Sequence, residues 1–115
     1  MRLLAISDTY IPAEFMEQGL AGLAPLGVQV EVCCWEHPTL IALQEANLAI
    51  EKGGPEAVTL PPEIAANVAG FQIIVVQFTP ISRKLIEAAA QLKVIGVLRG
   101  GTENVDVRFA TQRGI

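Results

Sequence analysis

The sequence predicts an α/β fold in which a parallel sheet of four or five strands carries helices on both faces. Short apolar runs alternate with segments of helical periodicity from one end of the chain to the other. The apolar residues are mostly aliphatic: the chain is 51% hydrophobic but only 5% aromatic, which is typical of a buried parallel sheet. A length of 115 residues fits one domain with one core.

Each predicted strand is a short apolar run that ends at a polar residue or a turn. Residues 71–78 contain four consecutive β-branched residues, apolar on both faces, and predict a central strand. Residues 57–60 fit either a short fifth strand or extended chain. The other predicted strands are 2–7, 28–35 and 93–98.

The segments between the strands predict helices with recognisable first and last residues. Residues 13–26 follow Pro12 and precede Gly27, which favour the start and the end of a helix. Ser82 is suited to cap a helix that extends through Gln91. The remaining predicted helices are 38–50, a weaker one at 61–69, and a short one near 106–112. Right-handed crossovers between such elements give a flavodoxin-like doubly wound sheet.

In a doubly wound sheet, ligands bind beyond the carboxyl ends of the strands. We therefore expect Asp8, Gln77 and Gly100 to lie at one edge of the sheet. Asp8 fits either a functional acid or the N-cap of the following helix. Tyr10 fits a residue that lines the cleft or packs on the proline after it, whereas Trp35 and its neighbour Glu36 are expected at the rim or at an interface.

Composition and charge exclude several classes of function. The net charge is −4 and the basic residues are scattered, which argues against nucleic acid and against an anionic membrane surface as partners. The apolar run 3–6 is too short for a signal peptide or a membrane span. Cys33 and Cys34 are adjacent, so they point to opposite faces of a strand, and no CxxC spacing suggests a metal. The pattern predicts a cytoplasmic protein with two reduced thiols.

A strand, a glycine turn and a capped helix make up the most informative stretch, 92–115. Gly100 and Gly101 can adopt backbone angles closed to other residues, and their N–H groups can then converge on a carboxylate. Arg99 is near enough in sequence to add positive charge. Spacing alone leaves open that this is only a tight turn whose glycines permit a helix to pack on the sheet.

The same stretch resembles the segment that closes the first part of the substrate domain in D-isomer-specific 2-hydroxyacid dehydrogenases. Glu103 stands where that family usually has Asp, and Arg99-Gly100 replaces a more frequent Gly-x pair. Residues 77–89 are also similar to the family, and the resemblance is specific from about Phe71 onward. The matching positions are Gly101, Asn104, Val105, Asp106, Ala110, Arg113, Gly114 and Ile115.

The resemblance implies the substrate-binding part of an NAD-dependent oxidoreductase that acts on the CH–OH group of a D-2-hydroxy acid. It implies a substrate carboxylate, of a 2-hydroxy or 2-keto acid, held by backbone amides of the turn. The residues so implicated are Gly100, Gly101 and Thr102, to which Arg99 adds charge by its place in the sequence, and the loop after the third long strand adds Val76, Gln77 and Phe78. That loop offers no cation, which argues against a phosphorylated substrate.

The residues that the resemblance places in a cofactor domain are missing from the chain. No Gly-x-Gly-x-x-Gly fingerprint occurs, and His37 is the single histidine. We therefore expect residues 1–115 to be the N-terminal segment of the substrate domain, ending at a domain junction near Ile115, inactive alone and unable to bind NAD. The family's substrate domain is completed by a returning helix. Without it, we expect either that an apolar sheet face pairs in a homodimer or that the chain is only marginally stable.

Three other functions on the same fold differ in their residue requirements. A phosphoacceptor receiver domain needs an acidic pair after strand 1 and an Asp after strand 3, but here Asp8 stands alone and Gln77 holds the second position. A flavodoxin needs glycine and hydroxyl residues after strand 1, where this chain has no glycine. A stand-alone flavodoxin-like binding or dimerisation module remains open.

Overall fold

The computed structural model describes residues 1–115 and contains one sheet of four parallel strands. The strands are β1 (Arg2–Ser7), β2 (Gln29–Cys34), β3 (Ile73–Val76) and β4 (Val94–Val97), in the order β2-β1-β3-β4. The order reverses at β1, because the chain leaves β1 for β2 on one side and returns to β3 on the other. The predicted α/β doubly wound sheet is confirmed.

The strand register aligns the carboxyl ends of the three strands that carry candidate residues. Ile6 of β1 lies opposite Val76 of β3, and Val76 lies opposite Val97 of β4. The loops that leave these strands therefore begin at the same edge of the sheet. The predicted placement of Asp8, Gln77 and Gly100 at one edge is confirmed.

Helices cover both faces of the sheet, as predicted, but unequally. Helix α1 (Ala13–Leu20) packs on one face, where Met16 contacts a small cluster around Leu3 and Ala5. Four helices cover the other face around Leu4 and Ile6, and they enclose the main core. These are α2 (Leu40–Gly53), α3 (Pro62–Ala65), α4 (Arg83–Ala88) and α5 (Val107–Gln112). None of the five helices combines the length and the apolar character needed to cross a bilayer.

The predicted helix 13–26 is divided in two. The α-helix ends at Leu20, and a 3-10 helix continues over Ala21–Leu26. Pro25 lies inside this second part, where it has no N–H to donate to a helical hydrogen bond. Gly27 ends the segment with φ of 82°, in the left-handed region that favours glycine.

Helix α2 begins later and ends later than predicted from 38–50. Thr39 is its N-cap, and its side-chain oxygen accepts a hydrogen bond from the Ala42 amide at 3.1 Å. The helix ends at Gly53, and Gly54 follows with φ of 80°. The predicted cap at Ser82 is confirmed, since it accepts a hydrogen bond from the Leu85 amide, and Asp106 caps α5 by accepting one from the Phe109 amide.

Residues 57–60 form no strand, so the sheet has four strands and not five. Pro61 and Pro62 follow directly and lack the N–H groups that a strand ladder requires. Val58 and Leu60 instead pack against the main core from extended chain. Of the predicted helix 61–69, only the single turn of α3 is formed. Helix α4 ends at Ala88, before the predicted end at Gln91.

Candidate functional site

The candidate site lies where the loops after β1, β3 and β4 meet at the carboxyl edge of the sheet. Asp8 directly follows β1, Gln77 directly follows β3, and the glycine turn 99–102 follows β4. Strands β1 and β3 are neighbours on opposite sides of the point where the strand order reverses. This is the place where doubly wound sheets bind small molecules.

Asp8 is a buried carboxylate whose hydrogen bonds organise the first loop. It is 1% exposed, and Oδ1 accepts hydrogen bonds from the amides of Tyr10 at 2.8 Å and Ile11 at 2.9 Å. Pro12, not Asp8, occupies the N-cap position of α1. The alternative of an N-cap role for Asp8 is therefore wrong, because its carboxylate serves amides that precede the helix.

Gln77 reaches Asp8 from the neighbouring strand. With its amide oriented to satisfy the hydrogen-bond network, its nitrogen donates to both Asp8 carboxylate oxygens at 3.2 Å. The carboxylate thus receives N–H donors from two loops. Val76, which precedes Gln77, is fully buried in the main core. Its side chain therefore packs in the core and cannot contact a ligand.

Phe78 lies between an aromatic ring and a cation. The Tyr10 ring meets it edge to face, with 5.4 Å between centroids, and the Arg99 guanidinium carbon lies 5.2 Å from the Phe78 centroid. Tyr10 is 43% exposed, and its hydroxyl accepts a hydrogen bond from Gln44 of α2 at 2.9 Å. Tyr10 therefore lines the site, the first of the two roles predicted for it.

Arg99 is held by partners on two elements. Its guanidinium donates to Asn47 at 3.1 Å and to Glu51 at 3.0 Å, both on α2, and it lies 3.4 Å from the Glu103 carboxylate. The side chain is only 13% exposed. Two carboxylates thus compensate the one cation of the site, so an incoming anion would have to compete with them for Arg99.

The backbone amides of the glycine turn have no acceptor within the chain. The N–H groups of Gly100, Gly101 and Thr102 donate no hydrogen bond to backbone or side chain, and all three residues are exposed or partly exposed. These three N–H groups are therefore available to a hydrogen-bond acceptor from outside the chain. The expectation that these glycines take angles closed to other residues is wrong, because neither has a positive φ.

A side chain at position 101 would meet a carboxylate. A Cβ built on Gly101 would lie 2.6 Å from Oε1 of Glu103, whereas one built on Gly100 meets nothing within 4 Å. The Glu103 side chain therefore lies over the turn. Glu103 is 48% exposed, so its carboxylate is able to move aside.

Asn104 joins the loop after β3 to the loop after β4. It is fully buried, and Nδ2 donates to the carbonyl oxygens of Gln77 at 3.1 Å and Thr79 at 2.9 Å. Beside it, the Ile81 amide donates to the Asn104 carbonyl at 2.7 Å, and the Asp106 amide donates to Ile81. These bonds fix the glycine turn relative to Gln77 and Phe78.

Sequence reasoning missed the residues that connect the site to α2 and the role of Asn104. Gln44, Asn47 and Glu51 appear in the sequence as ordinary polar positions of a helix, and no local signal indicates their partners. The position of Asn104 between the glycine turn and the helix cap does indicate a structural role. The sequence pattern does not reveal that its side chain donates a hydrogen bond to the Gln77 carbonyl.

The remaining candidates lie outside this group of loops. Trp35 is 3% exposed and belongs to the main core, so its expected position at a rim is wrong. His37 packs edge to face on Trp35 with ring centroids 4.3 Å apart.

Burial, and secondly the charge of Cys34, raises the pKa of the Cys33 thiol. No three His, Cys, Asp or Glu residues are grouped closely enough to hold a metal ion.

Fold and site together define a flavodoxin-like domain with unpaired backbone amides at the carboxyl edge of its sheet. Residues 34–115 match the family model for the catalytic domain of D-isomer specific 2-hydroxyacid dehydrogenases. The chain therefore belongs to this family. The match begins at Cys34, well before Phe71, where the resemblance became specific in the sequence alone.

Individual relatives agree with this assignment. The chain is 41% identical over 54 residues to a protein named D-3-phosphoglycerate dehydrogenase from Archaeoglobus fulgidus, covering 46% of this chain and 10% of that relative. It superposes on the TT0316 protein of Thermus thermophilus with a TM-score of 0.66 and 25% identity over the whole chain. A structure titled putative D-3-phosphoglycerate dehydrogenase from Ralstonia solanacearum matches 99% of the chain with a TM-score of 0.59 and 16% identity, a likeness of fold. The chain spans 29% and 28% of these two structures.

The residues present do not fit the pyrophosphate of a nicotinamide dinucleotide. The loop from β1 to α1 contains no glycine, and Asp8 already accepts the Tyr10 and Ile11 amides there. The Arg83 amide, at the start of α4, donates to Glu56 at 3.1 Å. A dinucleotide normally requires a glycine-rich turn at an accessible helix N-terminus.

Proposed function

We propose that this chain is the substrate-binding part of an NAD-dependent oxidoreductase that acts on the CH–OH group of a D-2-hydroxy acid. The observation that carries the proposal is the row of free N–H groups at Gly100, Gly101 and Thr102. Such donors can hold the carboxylate that every 2-hydroxy and 2-keto acid possesses. Membership of the dehydrogenase family supports the choice of this substrate class over other anions.

In this proposal the chain binds and orients the substrate. The carboxylate lies on the glycine turn after Glu103 moves aside, and the rest of the acid extends toward Gln77 and Phe78. Asn104 keeps the two loops at a fixed separation, so both ends of the acid are held at once. Arg99 adds positive charge near the turn, in competition with Glu51.

We further propose that a separate domain supplies the nicotinamide cofactor. The absence of a Gly-x-Gly-x-x-Gly fingerprint from these 115 residues supports this division of labour. The proposal includes a cytoplasmic location, which the two free cysteines support. It also includes a homodimer, which is supported by the exposed Val94 on the less covered face of the sheet. NADH fluorescence should therefore show no saturable binding to the 115-residue chain.

Nuclear magnetic resonance of the ¹⁵N-labelled chain tests the substrate site. Titration with D-lactate should shift the amide signals of Gly100, Gly101 and Thr102 more than any others, and chloride at equal ionic strength should not. Gly101→Val should abolish these shifts, because its branched side chain adds bulk beside the turn amides. Gly22→Ala is the matched control, since a Cβ there meets nothing within 4 Å and lies far from the turn. D-lactate shifts that are absent or centred elsewhere would contradict the proposal.

A further inference from the structure

A groove that shares no residue with the glycine turn lies between helix α4 and the segment that leads into α3. Its volume is about 430 Å³, which is within the range of small-molecule sites. Most of its wall is aliphatic, so it favours an apolar group over water. The aliphatic side chains that line it are Val58, Leu60, Ala65, Leu85 and Ala88.

Two side chains of opposite charge line the same groove, and neither is neutralised by a partner. Lys84 of α4 and Glu56 both belong to the lining, and neither takes part in a salt bridge. One oxygen of the Glu56 carboxylate accepts a hydrogen bond from the Arg83 amide at 3.1 Å, which holds this carboxylate beside α4. The groove therefore complements a ligand that carries one negative and one positive group.

The backbone along one wall of the groove adds polar groups of both kinds. The N–H and C=O groups of Val58, Thr59 and Leu60 form no hydrogen bond with other backbone groups, because this segment belongs to no strand or helix. Unpaired N–H groups are donors for a carboxylate, and unpaired carbonyl oxygens are acceptors for an ammonium group. The polar groups of this wall thus suit the same pair of charges as Lys84 and Glu56.

We propose that this groove binds a free aliphatic amino acid of the size of L-leucine. The carboxylate of the ligand pairs with Lys84, its ammonium group pairs with Glu56, and its branched side chain lies against Leu60, Leu85 and Ala88. A simple aliphatic acid or amine would leave one of the two charges without a partner, and a peptide segment carries neither charge at its backbone. The proposal does not depend on the proposed function, because the two sites have no residue in common.

Titration of the ¹⁵N-labelled 115-residue chain with L-leucine tests the site. The amide signals of Val58, Thr59, Leu60 and Leu85 should shift saturably, with a dissociation constant in the low-millimolar range. Two analogues each lack one charge: 4-methylpentanoate has no ammonium group and 3-methylbutylamine has no carboxylate. Each should bind about two- to fivefold more weakly than L-leucine, as expected for one exposed ion pair. L-alanine should bind at least about tenfold more weakly, because it lacks most of the apolar side chain.

Two variants assign each charge of the ligand to its partner. Lys84→Gln should weaken the binding of L-leucine and 4-methylpentanoate about two- to fivefold and should not weaken that of 3-methylbutylamine. Glu56→Gln should weaken the binding of L-leucine and the amine by a similar factor and should not weaken that of the acid. Lys93→Gln and Glu17→Gln are the matched controls, because both residues lie outside the groove. All four positions are exposed, so each variant should keep the fold.

The outcomes of these titrations are specific to the groove. Saturable shifts along residues 58–60, with both analogues weaker than L-leucine, would support the proposal. It is overturned if L-leucine shifts no signal, or if the shifts centre on the amides of residues 100–102, where its carboxylate alone would account for binding. It is overturned also if either analogue binds as tightly as L-leucine, or if Lys84→Gln has no more effect than Lys93→Gln. The response of the glycine turn to D-lactate is a separate set of signals, so either proposal can fail without the other.

Discussion

At the scale of single residues, Asn104 shows how one buried amide can set the geometry of a site. Its nitrogen donates to two carbonyl oxygens of the loop after β3, while its own backbone belongs to the loop after β4. Together with the backbone hydrogen bonds between Ile81 and residues 104–106, this side chain holds the glycine turn at a fixed distance from Gln77.

Asn104→Asp should lower the free energy of unfolding by about 2–4 kcal/mol, because a carboxylate oxygen would then face two carbonyl oxygens in a buried place. Urea denaturation measures this change. Asn67→Asp is the matched control: Asn67 is exposed and makes no side-chain hydrogen bond, so its effect should stay within about 0.5 kcal/mol. Equal effects of the two substitutions would show that the Asn104 bonds do not hold the loops.

Glu103 competes with any carboxylate that binds the glycine turn. Glu103→Gln removes the negative charge over Gly101 and frees Arg99 from one of its two anionic partners. The affinity of the turn for D-lactate should rise about two- to fivefold, which corresponds to one exposed ion pair. Glu63→Gln, on exposed α3, should change nothing. Weaker binding by the Glu103 variant would mean that this side chain assists the ligand.

The two adjacent cysteines should differ in reactivity. Burial raises the pKa of the Cys33 thiol, so at mildly alkaline pH Cys33 forms less of the reactive thiolate than an ordinary thiol, and Cys34 is the more exposed of the two. Iodoacetamide followed by mass spectrometry should therefore find Cys34 modified first. Because the folded-state pKa is raised, the contribution of Cys33 to stability is present below its unfolded pKa and is lost as the pH rises through the folded pKa. Faster modification of Cys33 would contradict its buried position.

At the scale of elements, the sequence pattern predicted the four strands and their positions along the chain well. Apolar runs bounded by polar residues or turns locate all four strands to within a few residues. The caps at Ser82 and Asp106 were also predictable, because a hydroxyl or carboxylate before a helical segment has a local role. Such features depend on neighbours in sequence, so periodicity and residue type reveal them.

Features that depend on distant contacts were not predictable in the same way. Nothing near Arg99 in sequence indicates that Asn47 and Glu51 hold its guanidinium. Asp8 appeared suited to cap α1, yet it binds the loop amides and Gln77 on the adjacent strand. Parallel pairing of β1 and β3 brings these residues together across almost seventy positions of sequence. The position of the site was therefore predictable, but its hydrogen-bond network was not.

At the scale of the whole molecule, the two faces of the sheet differ in their cover. Four helices lie on one face, whereas α1 and the 3-10 helix cover only part of the other. Val94 of β4 belongs to the thinly covered face and is 51% exposed. Apolar surface of this kind favours contact with another protein surface.

The proposed homodimer should depend on Val94. Sedimentation velocity of the 115-residue chain should show self-association. Val94→Lys should raise the dissociation constant about ten- to hundredfold, because it replaces a buried apolar contact by a charge. Val107→Lys is the matched control, since Val107 is 47% exposed but lies on α5, over the other face. A monomer at all concentrations, or equal effects of both substitutions, would contradict a dimer through this face.

The central claim is that the glycine turn binds the carboxylate of a 2-hydroxy acid. A crystal structure of the chain with D-glycerate tests it most directly, because it locates the carboxylate relative to each N–H group. We expect the carboxylate oxygens within hydrogen-bonding distance of the Gly100 and Gly101 amides, the Glu103 side chain displaced from the turn, and the 3-hydroxyl next to Gln77. A fully occupied ligand bound elsewhere, with Glu103 still over Gly101, would contradict the claim.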